Sequence, residues 1–96
     1  MIFTISSQLY EEVQARLIEA IGARSYYSGA LSWESEGVAC RLVVSCFVYR
    51  RRETMPEGSF DAIYDLVPVW WEFHTADEQG EQLNDFSFSE LRARLR

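Results

Sequence analysis

Apolar and polar residues recur along this chain with two different periods. Between residues 6 and 21 the apolar positions are three or four apart, which is the spacing of one face of a helix. From residue 26 onward they alternate with a period near two, which is typical of strands. Near the end, Ser87 and Glu90 have the spacing of a capping box that begins a helix. The pattern predicts a two-layer α+β domain: an N-terminal helix, an antiparallel meander of three or four strands, and a short C-terminal helix.

The predicted elements have recognisable ends. The first helix begins at Ser6 or Ser7, continues to about residue 21, and stops at Gly22. Strands are predicted over residues 26–34, 38–50, 60–75 and 82–86, with turns at 35–37 and 77–80. We expect residues 50–58 to form a charged loop that contains Pro56. The last helix is predicted to run from about residue 87 to 95.

The third long strand is apolar on both of its predicted faces. Strict alternation puts one set of side chains on the first face: Tyr64, Leu66, Pro68, Trp70, Glu72 and His74. It puts a second set on the other face: Ile63, Val67, Val69, Trp71 and Phe73. A strand of this kind must be covered on both faces, and 96 residues offer little material for a second cover. The mismatch predicts an apolar sheet face that binds a partner, most simply a second copy of the chain.

Pro68 leaves the register of this strand open. Proline cannot donate to a sheet ladder, so it marks an edge or a bulge, and a bulge would exchange the two faces after Pro68. The sequence therefore does not decide which face the helices cover.

Composition sets further limits. The 96 residues are 48% hydrophobic, which indicates one globular domain over residues 1–96. The net charge of -6 repels phosphate backbones, so we expect no nucleic-acid partner. The uncharged apolar runs are shorter than a membrane span, so we expect no membrane partner. Cys40 and Cys46 are predicted to lie roughly 20 Å apart on one strand, too far for a disulfide, and free thiols suit the cytoplasm.

Candidate chemistry is sparse. Glu72 and His74 share a strand face and are the best candidates for acid–base work, but they lack a third group. Asp61 and Asp65 are roughly 13 Å apart on a strand, wider than a carboxylate pair needs. The spacing of the cysteines and the single histidine does not match a zinc site, so we expect no metal and no cofactor.

Two groups of side chains are candidates for binding. Three consecutive arginines, Arg50, Arg51 and Arg52, suggest an anion site, although Glu53 and Glu57 also neutralise them. Aromatic and polar candidates for an interface or a ligand groove are Trp33, Tyr64, Trp70, Trp71, Phe73, Glu72 and His74. Further aromatic candidates for a groove are Tyr26, Tyr27 and Tyr49.

Three hypotheses follow. The first is a non-enzymatic interaction protein that homodimerises through an apolar sheet face or binds another protein. The second is a small-ligand-binding domain with an aromatic pocket, in which Glu72 or an arginine anchors the ligand. The third, which the sequence favours least, is an enzyme that uses Glu72 and His74.

Overall fold

The computed structural model describes residues 2–95, which form two helices and one four-stranded antiparallel sheet. The elements in chain order are α1 (Ser7–Ile21), β1 (Tyr26–Ser35), β2 (Val38–Met55), β3 (Gly58–Asp77), β4 (Gly80–Gln82) and α2 (Phe88–Ala93). The strands are hydrogen-bonded in sequence order, β1-β2-β3-β4, so the sheet is a meander. The predicted α+β order of helix, meander and helix is confirmed.

Helix α1 begins and ends where its sequence predicts. The Ser6 hydroxyl accepts a hydrogen bond from the Leu9 amide at 3.1 Å, which satisfies one of the free donors of the first turn. At the other end, Gly22 adopts a positive φ of 57° that favours glycine. The buried stripe between these ends covers one face of the sheet and consists of Leu9, Tyr10, Val13, Leu17 and Ile21.

The core lies between α1 and the inner face of the sheet. Alternate residues of β2 point into it and are buried: Cys40, Leu42, Val44, Cys46 and Val48. Leu17 of the helix and Leu42 of the strand are fully buried, so this layer is filled by side chains. Cys40 and Cys46 are buried free thiols, as expected, and burial raises the pKa of both.

The turn between β1 and β2 explains their exact pairing. Ser35 pairs with Val38, which leaves a two-residue loop of Glu36 and Gly37. Both have positive φ values, 49° and 80°, which is the geometry of a type I′ hairpin turn. This turn matches the twist of the strands and so fixes which residues of β1 lie beside those of β2.

Two bulges in β3 correct the predicted faces of that strand. The pairing shifts after Ser45–Trp70 to Cys46–Pro68, so Val69 is the extra residue. A second shift, between Tyr49–Asp65 and Arg50–Ile63, makes Tyr64 extra. Strict alternation was therefore wrong for this strand: Trp70, Glu72 and His74 do not share a face with Leu66 and Pro68.

Residues 50–58 do not form the predicted loop. Strands β2 and β3 continue as a paired ribbon as far as Met55 and Gly58, with Pro56 and Glu57 at the tip. We call residues 50–63 the arm. It extends beyond the three-stranded part of the sheet and contributes to a molecule that measures 50 × 26 × 19 Å.

The C-terminal segment differs from the prediction in detail. The returning strand is Gly80–Gln82 rather than 82–86, and Asn84 forms an isolated bridge with Phe3 instead. Helix α2 ends at Ala93, not Leu95. Only half of the capping box is present, because Ser87 accepts from the Glu90 amide while its own amide donates to the Tyr10 hydroxyl.

Candidate functional site

The second face of the sheet carries no helix among residues 2–95. We call it the outer face. The register of the strands sets most of its side chains: from β1 come Tyr26, Ser28, Ala30, Ser32 and Glu34; from β2 come Ala39, Arg41, Val43, Ser45, Phe47, Tyr49, Arg51, Glu53 and Met55; and from β3 come Phe60, Ala62, Val67, Trp70, Glu72, His74 and Ala76. Tyr64, the extra residue of the second bulge, joins them through its ring contact with Tyr49.

Large apolar side chains on this face are open to solvent. Trp70 is 59% exposed, Phe47 47% and Tyr26 43%. Two aromatic pairs lie along the face: Tyr26 contacts Phe47 with ring centroids 5.0 Å apart, and Tyr49 contacts Tyr64 at 6.5 Å. The patch continues onto the arm through Phe60 and Met55, which are 50% and 46% exposed. Contiguous apolar surface of this extent is typical of an interface.

The structure separates the predicted aromatic candidates into two groups. Tyr64 and Trp70 belong to the outer face. Trp71 packs against Phe86 and Phe88 beneath the sheet, with centroid distances of 5.5 and 6.1 Å. Phe73 and Trp33 also belong to the inner layer, where their rings are 6.1 Å apart.

A polar cluster occupies the outer face beyond Trp70. The indole nitrogen of Trp70 donates to one carboxylate oxygen of Glu72 at 3.1 Å. The other oxygen contacts Nε2 of His74 at 3.1 Å, and Nδ1 of His74 contacts Glu81 at 3.1 Å. Each ring nitrogen of His74 thus contacts a carboxylate oxygen, and the tautomer decides which nitrogen donates. The hydrogen bonds from Trp70 and His74 lower the pKa of Glu72.

The acidic groups of this cluster are arranged around the imidazole of His74. The carboxylates of Glu72 and Glu81 contact opposite ends of the imidazole, so they do not converge on a common point. No group of three or more metal-ligating side chains is arranged to hold an ion within residues 2–95. Both thiols lie on the inner side, where burial keeps them protonated. The contacts of this cluster amount to charge pairing and hydrogen bonding at the protein surface.

The three arginines of the predicted anion site point to different partners. Arg50 donates to the Gly22 and Arg24 carbonyls at 2.7 and 2.8 Å, which caps the end of α1. Arg51 pairs with Glu53 at 2.9 Å, and Arg52 lies 3.5 Å from Asp61. The structure does not bring the three guanidinium groups together around one anion.

A shallow depression lies on the outer face at the end remote from the arm. We call it the alanine depression. Ala39 and Ala76 are adjacent across β2 and β3 and form its floor, while Glu34, Arg41 and His74 stand around it. Its volume is about 500 Å³. The small floor residues leave this end of the face lower than the aromatic end.

Sequence reasoning missed several outer-face residues. Phe47 was not among the candidates, although alternation along β2 already places it opposite the core. Met55 was missed because residues 50–58 were predicted to form a loop, whereas Phe60 was placed in a strand but not named as a candidate. Glu81 belongs to the polar cluster only because β4 pairs with β3, and composition does not reveal that pairing.

No helix among the described residues is long and apolar enough to cross a membrane. Comparisons of the chain with protein-family models, with curated proteins and with solved structures found no match.

Proposed function

We propose that this chain is a non-enzymatic interaction protein that forms a homodimer through the outer face of its sheet. The observation that carries the proposal is the series of exposed aromatic side chains Trp70, Phe47, Tyr64 and Phe60 on the sheet face opposite α1, interrupted by the row of Arg51 and Ala62. Burial of such side chains is the main source of stability in protein association.

The dimensions of the face fit this role. Strands lie about 4.8 Å apart and rise about 3.3 Å per residue. Three strands over β1 and two along the arm therefore give about 650 Å² of projected area. A standard interface takes about 800 Å² of accessible surface from each partner, and side-chain relief makes accessible area larger than projected area. The face is large enough for a stable dimer without a further partner.

The packing on the other side of the sheet favours this proposal over an internal ligand pocket. Val13, Leu17 and Val44 are completely buried, and they fill the layer between helix and sheet. The space that remains between α1 and β1 is an open groove of about 380 Å³ beside Trp33, lined by Arg16, Glu19 and Ala20, and not an enclosed aromatic pocket.

The test is the solution mass of the purified protein, measured by size-exclusion chromatography with light scattering. We expect a dimer for the wild type and a monomer for Trp70→Arg, because the charge would be buried in the centre of the contact. Leu83→Arg is the matched control, since Leu83 is 76% exposed but lies outside the outer face. Circular dichroism should show that both variants keep the fold.

A wild-type monomer at high micromolar concentration would overturn the proposal. A dimer that Leu83→Arg breaks and Trp70→Arg leaves intact would move the contact to another surface. Trp71→Arg is not an interface probe, because Trp71 packs on Phe86 and Phe88 and its loss would disturb the fold.

A further inference from the structure

The outer face is unequal from end to end in the size of its side chains. The arm end carries Met55 and Phe60, and the other end is the alanine depression around Ala39 and Ala76. The row of Tyr26, Phe47 and Val67 lies midway between them, because Phe47 is eight residues from both Ala39 and Met55 on β2. A raised end and a hollow end are thus equally far from one central row.

Charge is also unequal along the same axis. Six acidic side chains lie at the depression end: Glu34, Glu36, Glu72, Asp77, Glu78 and Glu81. Arg41 and His74 are the basic side chains beside them on the outer face. The arm carries three arginines against three acids: Arg50, Arg51, Arg52, Glu53, Glu57 and Asp61. The depression end is therefore strongly negative and the arm is close to neutral.

A two-fold dimer of packed sheets has two ways to arrange these ends. If the axis is parallel to the strands, each end of the outer face packs on the same end of the second copy. The two alanine depressions then face each other, and so do the two acidic ends. An axis across the strands reverses the second copy and places each arm over the depression of the other. The first arrangement leaves a void between alanines and brings like charges together, and both effects are unfavourable.

We propose that the second copy packs antiparallel on the outer face, with the two-fold axis over Phe47 and each arm seated in the partner's alanine depression. This inference rests on the proposed homodimer and specifies its geometry. Counting rows outward from Phe47 brings Met55 to the partner's Ala39. The same count brings Glu53 to the partner's Arg41.

The remaining rows are complementary as well. Tyr49 and Tyr64 lie one row from the axis and face the row that holds the partner's Trp70. Arg51 lies two rows from the axis, opposite the row that holds the partner's Glu72. The row of Tyr49 therefore meets the aromatic surface of Trp70, and the rows of Arg51 and Glu53 meet rows that carry the opposite charges of Glu72 and Arg41.

The arm itself gives independent support. A two-stranded ribbon without a third strand is only marginally stable in water. The tip of this one has its apolar side chains, Met55 and Phe60, about half exposed. The arm has six residue pairs beyond the three-stranded part of the sheet. Contact with a second copy would bury one face of this ribbon.

Cross-linking distinguishes the two arrangements. Two single variants, Met55→Cys and Ala39→Cys, place a thiol at opposite ends of the outer face. A bismaleimide that spans about 10 Å matches the distance between stacked sheets. Each variant is treated alone, and an equal mixture is treated after subunit exchange. The wild type measures any background from the buried Cys40 and Cys46.

We expect cross-linked dimer in the mixture and none above background in either variant alone. Cross-linking of each variant alone, with no gain in the mixture, would show the parallel arrangement and overturn the inference while the proposed homodimer stands. Wild-type monomer in light scattering would overturn both. A dimer without cross-links in any sample would overturn the antiparallel seat.

Charge reversal gives a second readout that does not use cysteine. Arg51→Glu and Glu72→Arg should each weaken the dimer by about three- to tenfold in dissociation constant, as exposed ion pairs do. The double variant should recover most of the loss, because the opposite charges again face each other across the interface. Additive losses in the double variant would contradict the antiparallel packing.

Discussion

Arg92 donates two hydrogen bonds to the carboxylate of Asp65, at 2.9 and 2.8 Å, and so connects helix α2 to strand β3. Asp65 is 9% exposed and sits beside the extra residue of the second bulge, which directs it toward the helix. The same carboxylate accepts the Leu66 amide at 2.9 Å. Hydrogen bonding to Asp65 raises the pKa of Arg92 above its already high ordinary value. A bidentate pair of this kind fixes direction as well as distance.

Removal of the guanidinium should destabilise the fold. We expect Arg92→Ala to lower the free energy of unfolding by about 1–3 kcal/mol, because a buried carboxylate loses its charged donors. Urea denaturation followed by tryptophan fluorescence measures the change. Arg52→Ala is the control: the Arg52–Asp61 pair is largely exposed and should contribute less than about 0.5 kcal/mol. Equal losses of unfolding free energy in the two variants would show that the Arg92–Asp65 pair stabilises the fold no more than an exposed ion pair does.

Gly29 is required by its neighbour on the inner face of β1. A Cβ atom at this position would lie 2.6 Å from the Tyr27 hydroxyl oxygen and 3.0 Å from the ring carbon that bears it. Because Tyr27 is buried, Gly29→Ala should cost about 1–3 kcal/mol in thermal or urea unfolding.

The Tyr27 hydroxyl offers an internal control for this clash. In a Tyr27→Phe background the shortest contact is absent, so the added cost of Gly29→Ala should be smaller. An unchanged cost would mean that the hydroxyl is not the source of the strain.

The pKa of Glu72 should depend on Trp70. The indole hydrogen bond is the largest cause of the lowered pKa, followed by the contact with His74. Trp70→Phe keeps an aromatic ring but removes the donor, so the pKa of Glu72 should rise toward its ordinary value. Carbon-detected NMR titration of the side-chain carboxyl measures it. Trp71→Phe, on the other face, should leave the pKa of Glu72 at its wild-type position.

The sign of the related stability effect follows from that direction. A carboxyl whose pKa is lower in the folded state than in the unfolded state stabilises the fold above its unfolded pKa. This contribution is lost as pH falls through the folded pKa. A stabilising effect of Glu72 that grew on acidification would contradict the hydrogen bonds seen here.

Backbone exchange should report on the arm. We expect the amides of residues 51–55 to exchange with deuterium faster than those of Leu42 and Val44, because the arm lacks a third strand. Protection of these arm amides should fall further in Trp70→Arg if the partner covers the arm. Equal protection in wild type and variant would show that the arm is stable by itself.

Helix α1 and strand β2 were predictable because their patterns repeat without interruption. The stripe of Val13, Leu17 and Ile21 and the alternation from Cys40 to Val48 each bury one face. Strand β3 was not, since a bulge adds a residue without a fixed sequence signal. Pro68 indicated an irregularity but did not identify Val69 as the extra residue.

The arm escaped prediction for a different physical reason. Exposure on both sides removes the hydrophobic alternation that marks a half-buried strand, so Arg50, Arg51 and Arg52 resembled a loop. The polar cluster was predicted only in part: Glu72 and His74 are two residues apart in sequence. Glu81 lies beside His74 because β4 pairs with β3 and places Glu81 opposite Ala76.

The pairing of β2 with β3 restricts how this chain can change in length during evolution. One residue added to each strand at the base of the arm would preserve every pair beyond it, yet it would turn Met55 and Phe60 to the opposite side of the ribbon. Insertions and deletions in descendants of this sequence should therefore occur in steps of two residues per strand. A single-residue step would be tolerated only where a new bulge, like that at Val69, restores the original side.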